Sequence, residues 1–146
     1  MSDQTPVTIV MIEDDEGHAR LIEKNIRRAG IFNSLKHFTD GASALNFLFK
    51  DNSGPKLNGP ALVLLDLNLP DMNGVDILAK IKGDEHLRLA PVVVLTTTDD
   101  KQEIQRCYDL GCNVYITKPV DYESFADAIR QLGLFLSVIK VPQVDD

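Results

Sequence analysis

Four short apolar runs constrain this chain more than any other feature: Val7 to Ile12, Ala61 to Leu65, Val92 to Leu95 and Val114 to Ile116. Each is continuous rather than alternating, and β-branched residues are frequent in them. A strand with one wet face alternates apolar and polar residues. A strand covered on both faces does not, so these runs describe a parallel sheet with helices on either side. A fifth, more polar stretch from Ser34 to Phe38 fits an edge strand, where one flank meets water.

Helical patterns fill the intervals. Residues 16–29 place Ile22, Ile26 and Ala29 on one stripe, and Gly30 follows as a stop. Residues 41–50 carry Leu45, Leu48 and Phe49. Residues 73–82 carry Val75 and Leu78 with the offset pair Ile77 and Ile81. Residues 100–110 carry Ile104, Cys107 and Tyr108, followed by Gly111. A last helix starts near Asp121, a good N-cap, and carries Phe125, Ala128, Ile129 and Leu132. Strand then helix, five times over with short connections, implies right-handed crossovers and a doubly wound α/β fold. Residues 51–60 form a longer polar loop. The 146 residues fit one domain, with a core over 6–132 and an apolar extension over 133–146.

Charge and cysteine content narrow the class. A net charge of −7 argues against broad binding to nucleic acid or anionic membrane, which want basic patches. Cys107 and Cys112 fit no zinc or redox spacing and read as free thiols in a reducing compartment. No secretory signal and no membrane-length apolar run is evident, so the chain is expected in the cytoplasm.

In an open parallel sheet, ligands sit beyond the carboxyl ends of the strands. The first strand is followed by Glu13, Asp14 and Asp15. The third ends in Asp66, the fourth in Thr96 and Thr97, and the fifth in Thr117 and Lys118. Singly, each has a bland explanation: a turn cap, a strand end, a surface lysine. Together they place several carboxylates, one ammonium and a hydroxyl at one edge. Clustered carboxylates repel unless cations intervene. Lys118 supplies one positive charge, and an all-oxygen donor set suits Mg2+ for the rest. Zinc would want His or Cys there. A carboxylate beside a metal and a fixed lysine is placed to attack phosphorus, and Asp66 sits at the centre of the sheet.

These residues resemble the receiver domain of two-component response regulators. The pieces are Ile12-Glu13-Asp14-Asp15, then Leu64-Leu65-Asp66-Leu67-Asn68-Leu69-Pro70 with Gly74, then Pro91 to Thr96, then Tyr115-Ile116-Thr117-Lys118-Pro119. The resemblance implies a five-stranded sheet of order 2-1-3-4-5. It makes Asp66 the phosphorylated aspartate. Asp14 is implied as direct Mg2+ ligand, Glu13 as a ligand through water, and the Asn68 backbone carbonyl as a further ligand. Thr96 and Tyr115 are the implied switch pair, and Lys118 contacts the phosphoryl group. Pro119 is implied to follow a cis bond, and Asp15 has no chemical part. Thr97 departs from the small residue usual at its position and is expected to alter access to the phosphoryl group.

A narrower resemblance, carried by residues 65–70, 92–97 and the tail from Leu134 to Pro142, is to the single-domain regulators that partner phytochrome-type sensor histidine kinases. It implies a homodimer through the last helix, strand and tail. The sequence supports this separately. Leu132, Leu134, Phe135, Leu136, Val138 and Ile139 are apolar nearly all round the helix, leaving a second face to cover. The alternative partner is a chemotaxis-type or other kinase.

Two other classes fit less well. An aspartyl-nucleophile phosphatase resembling haloacid dehalogenases wants an acid two residues after the nucleophile, where this chain has Asn68. A flavin-nucleotide carrier wants a phosphate-cradling first loop, where this chain has Glu13-Asp14-Asp15-Glu16. The expected molecule is therefore a phosphoacceptor rather than a turnover enzyme.

Overall fold

The computed structural model describes residues 7–49, 59–118 and 121–132. The elements run β1 (Thr8–Ile12), α1 (Glu16–Arg28), β2 (Leu35–Phe38), α2 (Gly41–Phe49), β3 (Ala61–Asp66), α3 (Gly74–Lys82), β4 (Val92–Thr96), α4 (Lys101–Leu110), β5 (Val114–Thr117) and α5 (Tyr122–Leu132). The five strands form one parallel sheet of order β2-β1-β3-β4-β5, the order that the family resemblance implies. The polar strand β2 is indeed at an edge.

Two apolar layers explain the unbroken runs. Alternate residues Ile9, Met11, Leu62, Leu64, Val93 and Leu95 point to one side, where they pack with Ala19, Ile22 and Ile26 of α1 and Phe125 of α5. Their neighbours Val10, Ile12, Val63, Leu65, Val92 and Val94 point to the other, against Leu48 of α2, Ile77, Leu78 and Ile81 of α3, and Cys107 of α4. The period-two pattern is present but hidden, because both faces are dry.

Helix ends follow local chemistry. Asp15, Asn73 and Asp100 cap α1, α3 and α4, each accepting from a backbone N–H of the first turn. After α4, Gly111 adopts φ 111°, which a side chain would resist, and the chain reverses into β5. Two details differ from the sequence pattern. A 3₁₀ turn, Leu87–Leu89, precedes β4. Tyr108 does not join Cys107 in the core. It is 45% exposed, because α4 packs chiefly on α3 and buries a narrower line than its apolar residues suggest. Pro119 and the tail residues Leu134, Phe135, Leu136 and Val138 lie outside the described residues, so the cis-bond and interface expectations are untouched. Among the described residues, no helix is long and apolar enough to cross a membrane.

Candidate functional site

The strand order reverses between β1 and β3, which is where such sheets bind ligands. Register does the rest. Ile12 pairs with Leu65, so Glu13 and Asp14 emerge beside Asp66. Asp66 in turn pairs with Leu95, and Thr96 with Thr117, which brings Thr96 and Lys118 to the same edge. The Lys118 N–H donates to the Thr96 carbonyl at 2.7 Å, fixing where the lysine leaves the strand.

Charge is compensated at short range. Lys118 Nζ lies 2.6 Å from Glu13 Oε1 and 3.1 Å from Asp66 Oδ2, with all three side chains at most 6% exposed. Burial pushes the Asp66 carboxyl above its ordinary value, and the Glu13 charge adds to this, while the Asn68 N–H and Lys118 oppose it. Burial alone would lower Lys118, yet the two carboxylates outweigh it and hold the ammonium above its usual range. Asp66 Oδ1 accepts from the Asn68 N–H at 3.0 Å, so both carboxylate oxygens are oriented.

The polar neighbours form a connected set. Asn68 Nδ2 donates to Thr96 Oγ1 at 3.2 Å and to Thr97 Oγ1 at 3.3 Å. Thr96 is fully buried and also accepts from the Thr98 N–H at 3.3 Å. Its oxygen is thus an acceptor twice over, and its own hydrogen is the bond it has left to give. Tyr115 donates its O–H to the Thr98 carbonyl at 3.1 Å. Burial, followed by the nearby Cys107 thiol and Glu103, pushes this phenol up to about 12, so it stays a donor across the ordinary pH range.

The family model for the response regulator receiver domain matches residues 9–130. The chain belongs to this family. This receiver domain is 67% identical to the receiver domain of Rhodospirillum rubrum known from a crystal structure, with a TM-score of 0.76 and coverage of 96% of this chain and 100% of that one. It is 32% identical over 145 residues to the response regulator Rcp1 of Synechocystis, covering 97% and 99% of the two chains. An Mn2+-bound crystal structure of Rcp1 superposes with a TM-score of 0.74 at 30% identity, over 97% and 100%. The bacteriophytochrome response regulator RtBRR gives a TM-score of 0.80 at 34% identity, over 90% and 80%.

The receiver domain's acidic corner fits a divalent cation. One oxygen from each of Glu13, Asp14 and Asp66 lies within 4.8 Å of the others. Glu13 and Asp66 are buried while Asp14 is exposed, so water can complete a coordination shell. An open cleft of about 560 Å³ continues outward past Asn68, Asp71 and Glu103.

The sequence therefore named Glu13, Asp14, Asp66, Asn68, Thr96, Tyr115 and Lys118, and the fold gathers them all. One structural role and two further participants went unnoticed. Asp15, set aside as chemically idle in the sequence, caps α1, accepting from the His18 N–H at 3.0 Å. His37 of β2 donates its Nε2–H to the Glu13 carbonyl at 2.8 Å. Asp71 accepts from two backbone N–H groups of α2. A helix-start pattern after β1 could have shown the first. The other two depend on tertiary contacts that no local pattern records.

Proposed function

We propose that this receiver domain takes a phosphoryl group onto Asp66 from the phosphohistidine of a sensor histidine kinase in the cytoplasm. The carrying observation is the buried carboxylate of Asp66 held by Lys118 beside two further acids. Glu13, Asp14, Asp66 and the Asn68 backbone carbonyl are the residues that would hold Mg2+. Bound there, the ion supplies positive charge to the transferring phosphoryl oxygens. An Asp66 oxygen donates a lone pair to phosphorus, the bond from phosphorus to the donor imidazole breaks, and that electron pair returns to the ring. Lys118 then offers its ammonium to the phosphoryl oxygens. Thr96 turns its hydroxyl hydrogen toward them, and Tyr115 follows into the space vacated. The surface of α4 and β5 is the readout, biased between two arrangements.

Asn68 supports a phosphoacceptor over a turnover enzyme, since an amide has no acidic proton to give a leaving group. Similarity to the bacteriophytochrome response regulator RtBRR favours a phytochrome-type kinase, with a chemotaxis-type kinase as the competing partner. The apolar tail, Leu134, Phe135, Leu136 and Val138, favours a homodimer of a single-domain chain, which light scattering would show as twice the 16.2 kDa mass.

The test is acetyl phosphate with Mg2+, followed by intact-protein mass spectrometry. One added phosphoryl group is expected, lost on chelation and in Asp66→Asn. Labelling that survives Asp66→Asn overturns the assignment. A phosphotransfer profile across histidine kinases tests the partner, and a phytochrome-type kinase no faster than the rest removes it.

A further inference from the structure

The loop between β3 and α3 is fastened at two places. At its base, Asn68 and Asn73 form an antiparallel bridge, and the Gly74 N–H donates to the Leu67 carbonyl at 2.9 Å. At its outer turn, Asp71 reaches a different helix. Its Oδ1 accepts from the Gly41 N–H and its Oδ2 from the Ala42 N–H, both at 2.9 Å. These are donors that the first turn of any helix leaves without an intrahelical partner.

Helix α2 already has a cap of its own, because Asp40 Oδ1 accepts from the Ser43 N–H at 2.7 Å. The local cap starts the helix, whereas the second links it to the loop that carries Asn68. The approach is close. A Cβ on Gly41 would meet Met72 Cγ and Sδ at 2.6 Å, so glycine lets the turn lie against the helix. The two N–H groups hold Asp71 below the usual carboxylate range, and it carries its charge where the helix end favours an anion.

We propose that Asp71 is a positioning residue for the metal site, fastening the outer turn of the β3–α3 loop to α2 so that Asn68 stands in place beside Asp66 before a cation arrives. The proposal rests on the metal site described under the proposed function. Groups that orient metal ligands from outside typically change affinity ten- to a hundredfold when removed.

The test titrates Mg2+ by calorimetry, and Mn2+ by electron paramagnetic resonance, into the parent, Asp71→Ala, Asp71→Asn and Asp40→Ala. Asp71→Ala is expected to weaken both ions by roughly tenfold. Asp71→Asn, which keeps one acceptor oxygen, should fall between it and the parent. Asp40→Ala removes a cap from the same helix without touching the loop, and its affinity should match the parent. Equal weakening by Asp40→Ala and Asp71→Ala would reduce the effect to helix stability and overturn the proposal, as would parental affinity in Asp71→Ala. If Asp71→Ala does not fold, Asp71→Asn decides, and binding as tight as in Asp40→Ala overturns it. A parent that takes neither ion overturns the metal site itself, and this proposal with it.

Discussion

Lys118→Met is the most direct test of the electrostatic arrangement. The ammonium faces Glu13 at 2.6 Å and Asp66 at 3.1 Å, so at an effective dielectric near 20 its two attractions come to roughly 5–6 kcal/mol each. Much of that is offset by the cost of taking the ammonium out of water. What remains is the penalty of two buried carboxylates left facing each other, typically about 3–5 kcal/mol when one partner of a buried pair is removed. The exposed side near Asp14 lets water screen the pair, which favours the lower end.

Urea unfolding at neutral pH reads this directly. With a slope of about 2 kcal/mol/M, a loss of about 3 kcal/mol moves the midpoint by roughly 1.5 M. The pH dependence carries the sharper signature. Without the lysine, the Asp66 pKa rises further above its unfolded value. Such a group gives stability that is present below the unfolded pKa and lost as pH rises through the folded one. The variant should therefore regain stability on acidification from neutral pH toward the ordinary carboxylate range, and also on adding Mg2+, for which the proposed site exists only in the folded state. A loss under about 1 kcal/mol, with no recovery in acid or with Mg2+, would show that the carboxylates do not share a pocket and refute the reasoning.

Three further outcomes follow from the packing. Gly74→Ala places a Cβ 2.6 Å from the Asp66 carbonyl and Leu67 Cα, backbone atoms that cannot yield, so a loss of about 1–3 kcal/mol in urea and slower labelling by acetyl phosphate are expected. Ile81→Ala empties a fully buried position between α3 and the sheet and should cost about 2–5 kcal/mol by the same assay, while Mg2+ affinity measured on the folded protein stays unchanged. Tyr115 should ionise late in an ultraviolet titration, near pH 12. Its raised pKa means native stability falls as pH climbs from the ordinary phenol value of 10.0 toward about 12, and titration at the ordinary value would contradict its buried setting.

The parts of this molecule legible in sequence are those fixed by local pattern plus one global rule. Continuous apolar runs reveal strands covered on both faces, and their order with intervening helices leaves little choice of topology. Because ligands gather at the carboxyl ends, reading the residue after each run recovers Glu13, Asp14, Asp66, Thr96 and Lys118 together. The strands extend one residue beyond the apolar runs, to Asp66, Thr96 and Thr117, because backbone pairing does not stop where the side chain turns polar. The clamp from Asp71 was hidden for a different reason. It joins residues 30 positions apart through backbone N–H groups, and the glycine that the close approach wants at position 41 does not say which segment lies against it. Tyr108 misled because helical period shows which residues share a face, not how wide a line the neighbouring element covers.

The two hydrogen bonds on Asp66 also bear on how it would take up phosphorus in the proposed transfer. Bonding phosphorus through Oδ1 would break the bond from the Asn68 N–H, inside a loop pinned by the Asn68–Asn73 bridge and the Gly74 N–H. Bonding through Oδ2 releases Lys118, which keeps Glu13 at 2.6 Å and can turn its charge to the incoming oxygens. The second route conserves charge compensation throughout, so in the proposed transfer Oδ2 would be the nucleophile, and the reach of the ammonium would matter as well as its charge. Lys118→Arg separates the two, because a guanidinium keeps the charge but is a rigid planar fork. It should retain more stability in urea than Lys118→Met, yet lose labelling by acetyl phosphate on the order of 10²-fold, the scale for one misplaced preorganised donor. Labelling at the parental rate in Lys118→Arg would mean that charge alone suffices and that the choice of oxygen does not depend on this lysine.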